Sequence, residues 1–472
     1  MCGVVGVLSL KKVAVQIHDF LLQLQHRGQD AAGIITANNR FNVKLGTGLV
    51  KDVFTIEDMK SLKGNLGIGH VRYPTAGSLS EEEAQPFWIG SPYGIAMAHN
   101  GQLTNYQQLA DHLKNDKRRH LNTESDSETL IHLLANGLEE QNGMAEKEED
   151  FFVQMCNAVR NVMLNARGSY SVVSAVIGKG LIAFRDPHGI RPLVMGERVE
   201  DDGSKSIVIA SENAGFYALG YTQVDDVRPG EIVYVSLTGV VYRKQILQKE
   251  FRPCMFESVY FARPDAKIDD ISVYRARLRM GQNLAVKWKD KFAELPVDLV
   301  IPIPFTSNTA ALSFANQLGV RYSEGLYKNP FIGRTFIMPD DTIRRRSVRY
   351  KLAPQETEIR DKNVILVDDS IVRGTTSREI VKMVRESGAK SVYLVSTCPE
   401  IKHPCFYGID IPTEKELIAY RFSLDELKIE LGVDALLYQS QEDLVEALTR
   451  RGKYNIKKPC KACLDGDYFH EN

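Results

Sequence analysis

Beyond about residue 250 the apolar residues come in short unbroken runs bounded by polar residues: VDLVIPIP, KNVILVDDS and KSVYLVSTC. Helical patterns, TAALSFANQLG and SREIVKMVRESG, follow two of these runs. A strand apolar on both faces has to be covered on both, as happens when helices cross over a parallel sheet. The second half is therefore expected to be α/β, with its sites at the C-terminal ends of the strands. The first half differs. Its β-prone runs are AGIITA, GIAMAHNG, YSVVSAVIGKGLIAF and EIVYVSLTGVVY, the last two with glycine breaks that suit hairpins. Helical patterns interrupt them near SETLIHLLANGL and FFVQMCNAVRNVML, which implies a layered α+β unit. A chain of 472 residues is long for one domain, and the change of pattern sets the expected domains at 2–245 and 246–472.

Composition narrows the function classes. With a formal net charge of −1, no overall field favours nucleic acid or an anionic membrane. No apolar run approaches the roughly 20 residues of a membrane span, and no basic segment precedes the first apolar stretch as a signal peptide requires. Seven cysteines, an odd number, do not form a secreted disulfide framework. A cytoplasmic enzyme is expected.

The chain opens MCGVVGV. Removal of Met1 would leave Cys2 with both a thiol and a free α-amine, whose reference pKa values are about 8.5 and about 7.7–8.0. Such a residue is a nucleophile that carries its own base. Four polar segments punctuate the same half: HRGQDAAGI (26–34), GHVRYPTAG (69–77), AHNGQLTN (98–105) and ESDSE (124–128). Arg72 could hold a carboxylate with a fork of donors, and Asp126 an ammonium. Asn100 and the backbone N–H of Gly101 could form an oxyanion hole. Taken singly, Arg72 and Asp126 could be a surface ion pair and HNG a hairpin turn. Taken together they describe an amidase for a free amino acid.

VILVDDSIVRGTTS (364–377) is an apolar strand ending in two carboxylates, then a loop of hydroxyls and glycine, then a helix. Ser370, Gly374, Thr375 and Thr376 can offer backbone and hydroxyl donors to a phosphate at that helix N-terminus. Asp368 and Asp369 would hold ribose hydroxyls, directly or through Mg²⁺. The stretch lacks the GxxxxGK[ST] of a Walker loop. Near the C-terminus, Cys460-Lys-Ala-Cys463 joins Cys405 and Cys254, and four thiolates from three segments suit either Zn²⁺ or a [4Fe–4S] cluster. Cys156, on an apolar helical face, and Cys398, ending a strand, read as core thiols.

The first half resembles the glutaminase domain of the N-terminal-nucleophile amidotransferases, a four-layer αββα sandwich. The resemblance implies that Cys2 attacks the glutamine side-chain amide, that Arg72 and Asp126 bind its carboxylate and amine, and that Asn100 and Gly101 stabilise the oxyanion. His26, Arg27 and Gly28 match a motif expected to line the same pocket. The second half resembles the type I phosphoribosyltransferases, α/β proteins that bind 5-phosphoribosyl-1-pyrophosphate (PRPP). IPIPFTSNTA (301–310) matches their pyrophosphate loop, with Thr306 as a third metal contact, and Arg373 joins the phosphate loop. The cationic stretch 327–352 lies where a lid would bring Lys328, Arg334 and Arg349 over PRPP.

In this order, the two halves resemble the glutamine PRPP amidotransferase family. The resemblance implies that ammonia passes from glutamine to PRPP through a closed channel, giving 5-phosphoribosylamine, glutamate and pyrophosphate, in the first committed step of purine synthesis. It also implies Mg²⁺, inhibition by purine nucleotides, a homotetramer and, in one branch, a structural [4Fe–4S] cluster on Cys254, Cys405, Cys460 and Cys463. Phe331 and Phe305 depart from the tyrosine and the acidic residue common at those positions. No propeptide precedes Cys2, a departure from some cluster-bearing relatives, so loss of one methionine is expected to suffice. Two rival readings are an amidotransferase with another acceptor and a non-catalytic PRPP-sensing regulator.

Overall fold

A computed structural model describes residues 2–73, 81–141, 143–330, 348–450 and 456–469. The first unit is built from thirteen strands: β1 (Gly3–Leu8), β2 (Ala31–Ala37), β3 (Phe41–Thr47), β4 (Leu66–Arg72), β5 (Phe87–Ile89), β6 (Ile95–Leu103), β7 (Gly168–Val176), β8 (Gly180–Arg185), β9 (Val194–Val199), β10 (Lys205–Ala210), β11 (Thr222–Asp226), β12 (Glu231–Ser236) and β13 (Val241–Gln245). They form two antiparallel sheets, in the orders β11-β9-β10-β1-β4-β2-β3 and β13-β12-β8-β7-β6-β5.

The unbroken apolar character of β1 follows from its place between layers. Strand side chains alternate between faces. Val5 and Val7 therefore pack outward against Ile17 and Leu21 of the helix Ala14–Gln23, while Val4 and Leu8 pack inward with Ala98, Val173 and Leu181 of the other sheet. Helices Asp126–Glu139 and Glu148–Asn165 cover the outer face of the second sheet through Leu130, Leu134, Met155 and Val159. The result is an αββα sandwich, with both faces of both sheets buried.

Past the junction, a short hairpin of β14 (Lys267–Ile268) and β15 (Ile271–Ser272) precedes the helix Val273–Phe292. The remaining strands are β16 (Leu299–Pro302), β17 (Arg321–Tyr322), β18 (Leu326–Lys328), β19 (Leu352–Pro354), β20 (Asn363–Asp368), β21 (Ser391–Ser396) and β22 (Ala435–Tyr438). Five of them form a parallel sheet in the order β17-β16-β20-β21-β22. Along β20, Val364 and Leu366 face Ile380 and Leu431 on one side, while Ile365 and Val367 face Trp288 and Phe314 on the other. β18 and β19 pair as a separate antiparallel ribbon. Among the described residues no helix is long and apolar enough to cross a membrane.

The two units meet through buried charge. Asp269, in a left-handed turn at φ 49°, holds Arg185 with both carboxylate oxygens, at 2.7 and 2.9 Å. Its N–H donates to Asp226 Oδ1 at 3.2 Å. Burial, and then the charge of Asp269, push the Asp226 carboxyl up to about 7. An unfolded chain would ionise this group near pH 4. Between about pH 4 and pH 7 the folded state thus binds the extra proton, and this contribution to stability falls as pH rises. Asp226→Asn keeps the acceptor and removes the titration. The melting temperature of the variant minus that of the wild type is expected to grow from pH 5 to pH 8; a difference that does not change with pH would refute the assignment.

Candidate functional sites

The first site lies where the ends of the two sheets meet. β1 places Cys2 beside β4, with Gly3 opposite Val71. The Cys2 N–H donates to Asn100 Oδ1 at 3.1 Å, and its Sγ lies 3.7 Å from the Tyr73 carbonyl. Asn100 is fully buried on β6, and its Nδ2 has no hydrogen-bond partner among the described residues. A buried amide donor left unpaired costs stability unless a ligand oxygen takes it up. At Gly101 a Cβ would fall 2.0 Å from the Ser169 carbonyl, so no larger residue fits there. Cys2, Arg72, Gly101 and Asp126 line one cavity of about 90 Å³.

Asp126 is the first residue of its helix, with Ser125 as N-cap. Its Oδ2 accepts the Leu103 N–H at 2.9 Å, which ties the helix start to the strand that carries Asn100. Glu128, two residues on, accepts the N–H groups of Asn122 and Thr123 at 2.9 and 2.7 Å and so closes the preceding loop. Arg72, nearly buried, pairs with Glu83. Gln85 and His99 also line the cavity. Gln85 accepts the His99 N–H at 2.8 Å and donates to Ser127 Oγ at 2.9 Å, and His99 Nδ1 lies 3.0 Å from the same hydroxyl. Burial lowers the His99 pKa, which favours the neutral ring at pH 7. His99 stands within the AHNG motif; Gln85 and Glu83 belong to no motif visible in the sequence.

The HRG triplet departs from expectation. Gly28 backs onto the strand that carries Arg72, where a Cβ would sit 2.5 Å from the Val71 carbonyl. His26 and Arg27 do not line the pocket. Arg27 is fully buried between Glu257, at 2.7 Å, and Glu212, at 3.4 Å, and His26 also pairs with Glu212. Burial alone would raise the Glu212 carboxyl; the charges of Arg27 and His26 outweigh it and hold it at about 2.

The second site occupies the C-terminal end of β20. Asp368 is the last residue of the strand, and its Oδ1 accepts the Asp369 N–H at 2.9 Å. Ser370 Oγ donates to Asp369 at 2.7 Å, and Ser377 Oγ, which sequence reasoning missed, lies 3.4 Å from Asp368. Gly374, at φ +75°, turns the chain into the helix Thr375–Glu386, which begins with Thr375 and Thr376. Burial, followed by the Asp369 charge, pushes Asp368 well above the carboxylate range. Asp369 rises to about 6, with Ser370, Arg277 and Lys328 working against burial. Two adjacent carboxyl groups, one buried and one half-buried, whose ionisation is opposed by burial form a donor set suited to a cation. Among the described residues no three His, Cys, Asp or Glu side chains stand close enough to hold one ion. A Mg²⁺ there would take its other ligands from Thr306, water and substrate oxygens.

Thr306 is half-buried in the loop after β16. Its neighbour Phe305 presents its ring to Lys328, whose Nζ lies 5.0 Å from the centroid, a cation–π contact where an acidic side chain would form an ion pair. Arg373 and Arg349 point elsewhere: Arg373 pairs with Glu416 at 2.9 Å, and Arg349 with Glu379 and Glu386. Arg334 and Phe331 lie outside the described residues.

The four expected cluster cysteines converge at the junction. Residues 254 and 460 form a parallel bridge, with Cys460 N–H donating to the Pro253 carbonyl at 2.9 Å and Met255 N–H to the Cys460 carbonyl at 3.2 Å. Cys405 Sγ accepts the Tyr407 N–H at 3.4 Å, and the Cys463 carbonyl accepts N–H groups of Lys402 and His403. Burial pushes the Cys254 thiol up to about 11 against the charge of Arg191, and pushes those of Cys460 and Cys463 well above the ordinary thiol value. The last described residues dock on Arg252, which pairs with Asp467 at 3.0 Å and lies 4.5 Å from the centre of the Phe469 ring, and on the first unit through His188, whose ring lies 4.8 Å from that of Phe469. Cys156 and Cys398 are buried core thiols.

A family model described as a glutamine amidotransferase domain matches residues 70–218. The chain is 49% identical over 451 residues to the amidophosphoribosyltransferase of Escherichia coli (strain K12), covering 95% of this chain and 88% of that one. It is 46% identical to the enzyme of that name from Saccharomyces cerevisiae (strain ATCC 204508 / S288c), covering 94% and 88%. The chain belongs to the amidophosphoribosyltransferase family. Members of that family are enzymes that use glutamine to aminate PRPP in the first step of purine biosynthesis, and this chain is one of them. A solved glutamine PRPP amidotransferase from B. subtilis, complexed with ADP and GMP, superposes with a TM-score of 0.86 at 35% identity, covering 99% of this chain and 97% of that one. In this family setting the unpaired Asn100 Nδ2 becomes testable. Asn100→Ala is expected to lower kcat for glutamine hydrolysis by roughly 10²–10³-fold, with a smaller change in KM. Wild-type rates in steady-state assays would remove Asn100 from the site.

Proposed function

We propose that residues 2–245 hydrolyse glutamine at Cys2 and that residues 246–472 transfer the released ammonia to PRPP at Asp368–Asp369. The observation that carries the reading is the pairing of Cys2 N with Asn100 Oδ1 while Asn100 Nδ2 stays buried and unpaired. After removal of Met1, the Cys2 α-amine takes the thiol proton, and the thiolate attacks the glutamine amide carbon. The oxyanion lies between Asn100 Nδ2 and the Gly101 N–H. As it collapses, the C–N bond breaks, the amine returns its proton to the leaving nitrogen, and ammonia departs from a glutamyl thioester that water then hydrolyses. Arg72 holds the substrate carboxylate, which competes with Glu83 for the guanidinium, and Asp126 holds the substrate ammonium.

At the second site Ser370, Gly374, Thr375 and Thr376 hold the 5-phosphate at the helix N-terminus. Asp368 and Asp369 orient the ribose hydroxyls, while Lys328 and Arg334 complete the anion site. Ammonia attacks C1 of PRPP as the bond to pyrophosphate breaks. Asp368, Asp369 and Thr306 would hold Mg²⁺, which would supply charge stabilisation for a departing pyrophosphate. Moving ammonia between the sites without release keeps it from becoming ammonium.

Cys254, Cys405, Cys460 and Cys463 would hold a structural [4Fe–4S] cluster. A zinc site needs its sulfurs within about 3.8 Å of one another, as follows from Zn–S bonds near 2.3 Å. Each cluster thiolate binds a different iron, and the packing of Cys254 and Cys405 with Cys463 on one side and with Cys460 on the other supports a group that draws on all four. The B. subtilis relative was solved with ADP and GMP, which supports purine nucleotides as inhibitors here. A homotetramer in the cytoplasm completes the reading.

The test is product stoichiometry on anaerobically purified protein with Mg²⁺. Equal glutamate and pyrophosphate release is expected only when both substrates are present. In Cys2→Ala, glutamine-dependent turnover should vanish while ammonia-dependent pyrophosphate release persists. Glutamate release that Cys2→Ala leaves intact would overturn the assignment of the nucleophile.

A further inference from the structure

The oxyanion hole is not walled by the first unit alone. Gly408, in the segment that follows Cys405, lies against it so closely that a Cβ there would stand 2.9 Å from the carbonyl carbon and 3.1 Å from the Cα of Gly101. The residue before it, Tyr407, is buried, and its carbonyl accepts three donors from the first unit. Arg191 Nε donates to it at 2.8 Å, Arg191 Nη2 donates as well, and Ser169 Oγ donates at 2.8 Å. Ser169 belongs to β7, whose own carbonyl is the atom that forces residue 101 to be glycine. Arg191 is fully buried, and its Nη1 lies 3.4 Å from Glu257 of the second unit. The Glu257 carboxylate offsets part of the cost of burying this guanidinium.

We infer that Arg191 is a positioning residue for glutamine hydrolysis: by fixing the Tyr407 carbonyl it holds Gly408 against Gly101 and so sets where the Gly101 N–H points. The inference rests on the proposed role of Gly101 as oxyanion donor. A planar fork is needed because two parallel N–H groups converge on one oxygen, and a lysine ammonium cannot reproduce that fixed geometry. The segment carrying Cys405 thus belongs to the glutaminase site as well as to the cysteine cluster. Arg191 does not line the cavity that holds Cys2, Arg72 and Asp126.

The experiment separates the two half-reactions in the full-length protein. Arg191→Lys, Ser169→Ala and Gly408→Ala are compared with wild type for glutamine hydrolysis and for ammonia-dependent pyrophosphate release from PRPP. For Arg191→Lys, kcat for glutamine hydrolysis is expected to fall about 10- to 100-fold, the scale of an ångström-sized misplacement. KM for glutamine and the ammonia-dependent rate should stay within about 3-fold of wild type, because the pocket clamps and the PRPP site do not rest on Arg191. Gly408→Ala should follow the same split and Ser169→Ala a milder one. These two keep the test decisive if Arg191→Lys does not fold. Equal loss of both half-reactions in all three variants would make Arg191 a purely structural residue and overturn the inference, as would no loss in any. Asn100→Ala, run in parallel, separates the two failures: wild-type hydrolysis there would mean that the oxyanion reading itself is wrong.

Discussion

The arrangement depends on a line of buried charges across the junction: Glu212, Arg27, Glu257 and Arg191, with His26 at one end and the Tyr407 carbonyl at the other. Isolated buried charges of this kind would each cost several kcal/mol, and removing one partner of a buried pair typically costs about 3–5 kcal/mol. Alternating signs make the line tolerable only while all members stay in place. Three of them, Arg27, Glu212 and Arg191, come from the first unit, and Glu257 from the turn that opens the second. Neither unit can satisfy its share alone, so the junction is specified rather than merely apolar. Arg277 reinforces the same turn by donating to the carbonyls of Ser258, at 2.9 Å, and Ala262, at 2.8 Å.

The sequence made the layers easy to read because burial on two faces leaves a plain trace. β1 and β20 are apolar at every position or nearly so, and in both the alternate residues serve different cores. Cys2, Arg72, Gly101 and Asp126 were equally legible, since each carries a chemistry that has few other uses at that spacing, and the fold brings them to one cavity. His26 and Arg27 were not. A cationic pair next to a glycine looks the same whether it faces an anionic substrate or two buried glutamates, and Glu212 and Glu257 lie 185 and 230 residues away from Arg27. Arg349 and Arg373 were misleading for a related reason: long exposed cations take whichever carboxylate is nearest, here Glu379 and Glu416.

The two sites also solve their electrostatics differently. In the glutaminase pocket the charges are paired in advance, Arg72 with Glu83 and Asp126 with a backbone N–H, and the reactive donor is the neutral amide of Asn100. A neutral donor costs less to bury than a charged one, and it gains most when negative charge develops on the substrate. At the end of β20 the carboxylates are instead left short of cations among the described residues, where Arg277 and Lys328 are the ones that pull Asp369 down. On the proposed reading, that shortage would make binding of a metal and a polyanion mutually dependent, the cation relieving the aspartates and the phosphates completing its shell.

Arg277 lies between these two regimes. Its guanidinium feels both Asp369 at the second site and Glu212 in the buried line, and burial still depresses its pKa to about 10. A cation divided between two acidic neighbours responds to any change in the charge of either. When positive charge arrives at Asp369, the attraction of that carboxylate for Arg277 weakens, and the balance shifts toward Glu212 and the residues that Glu212 holds, Arg27 and His26. Glu257 joins Arg27 to Arg191, and Arg191 ends at the carbonyl next to Gly408 and Gly101.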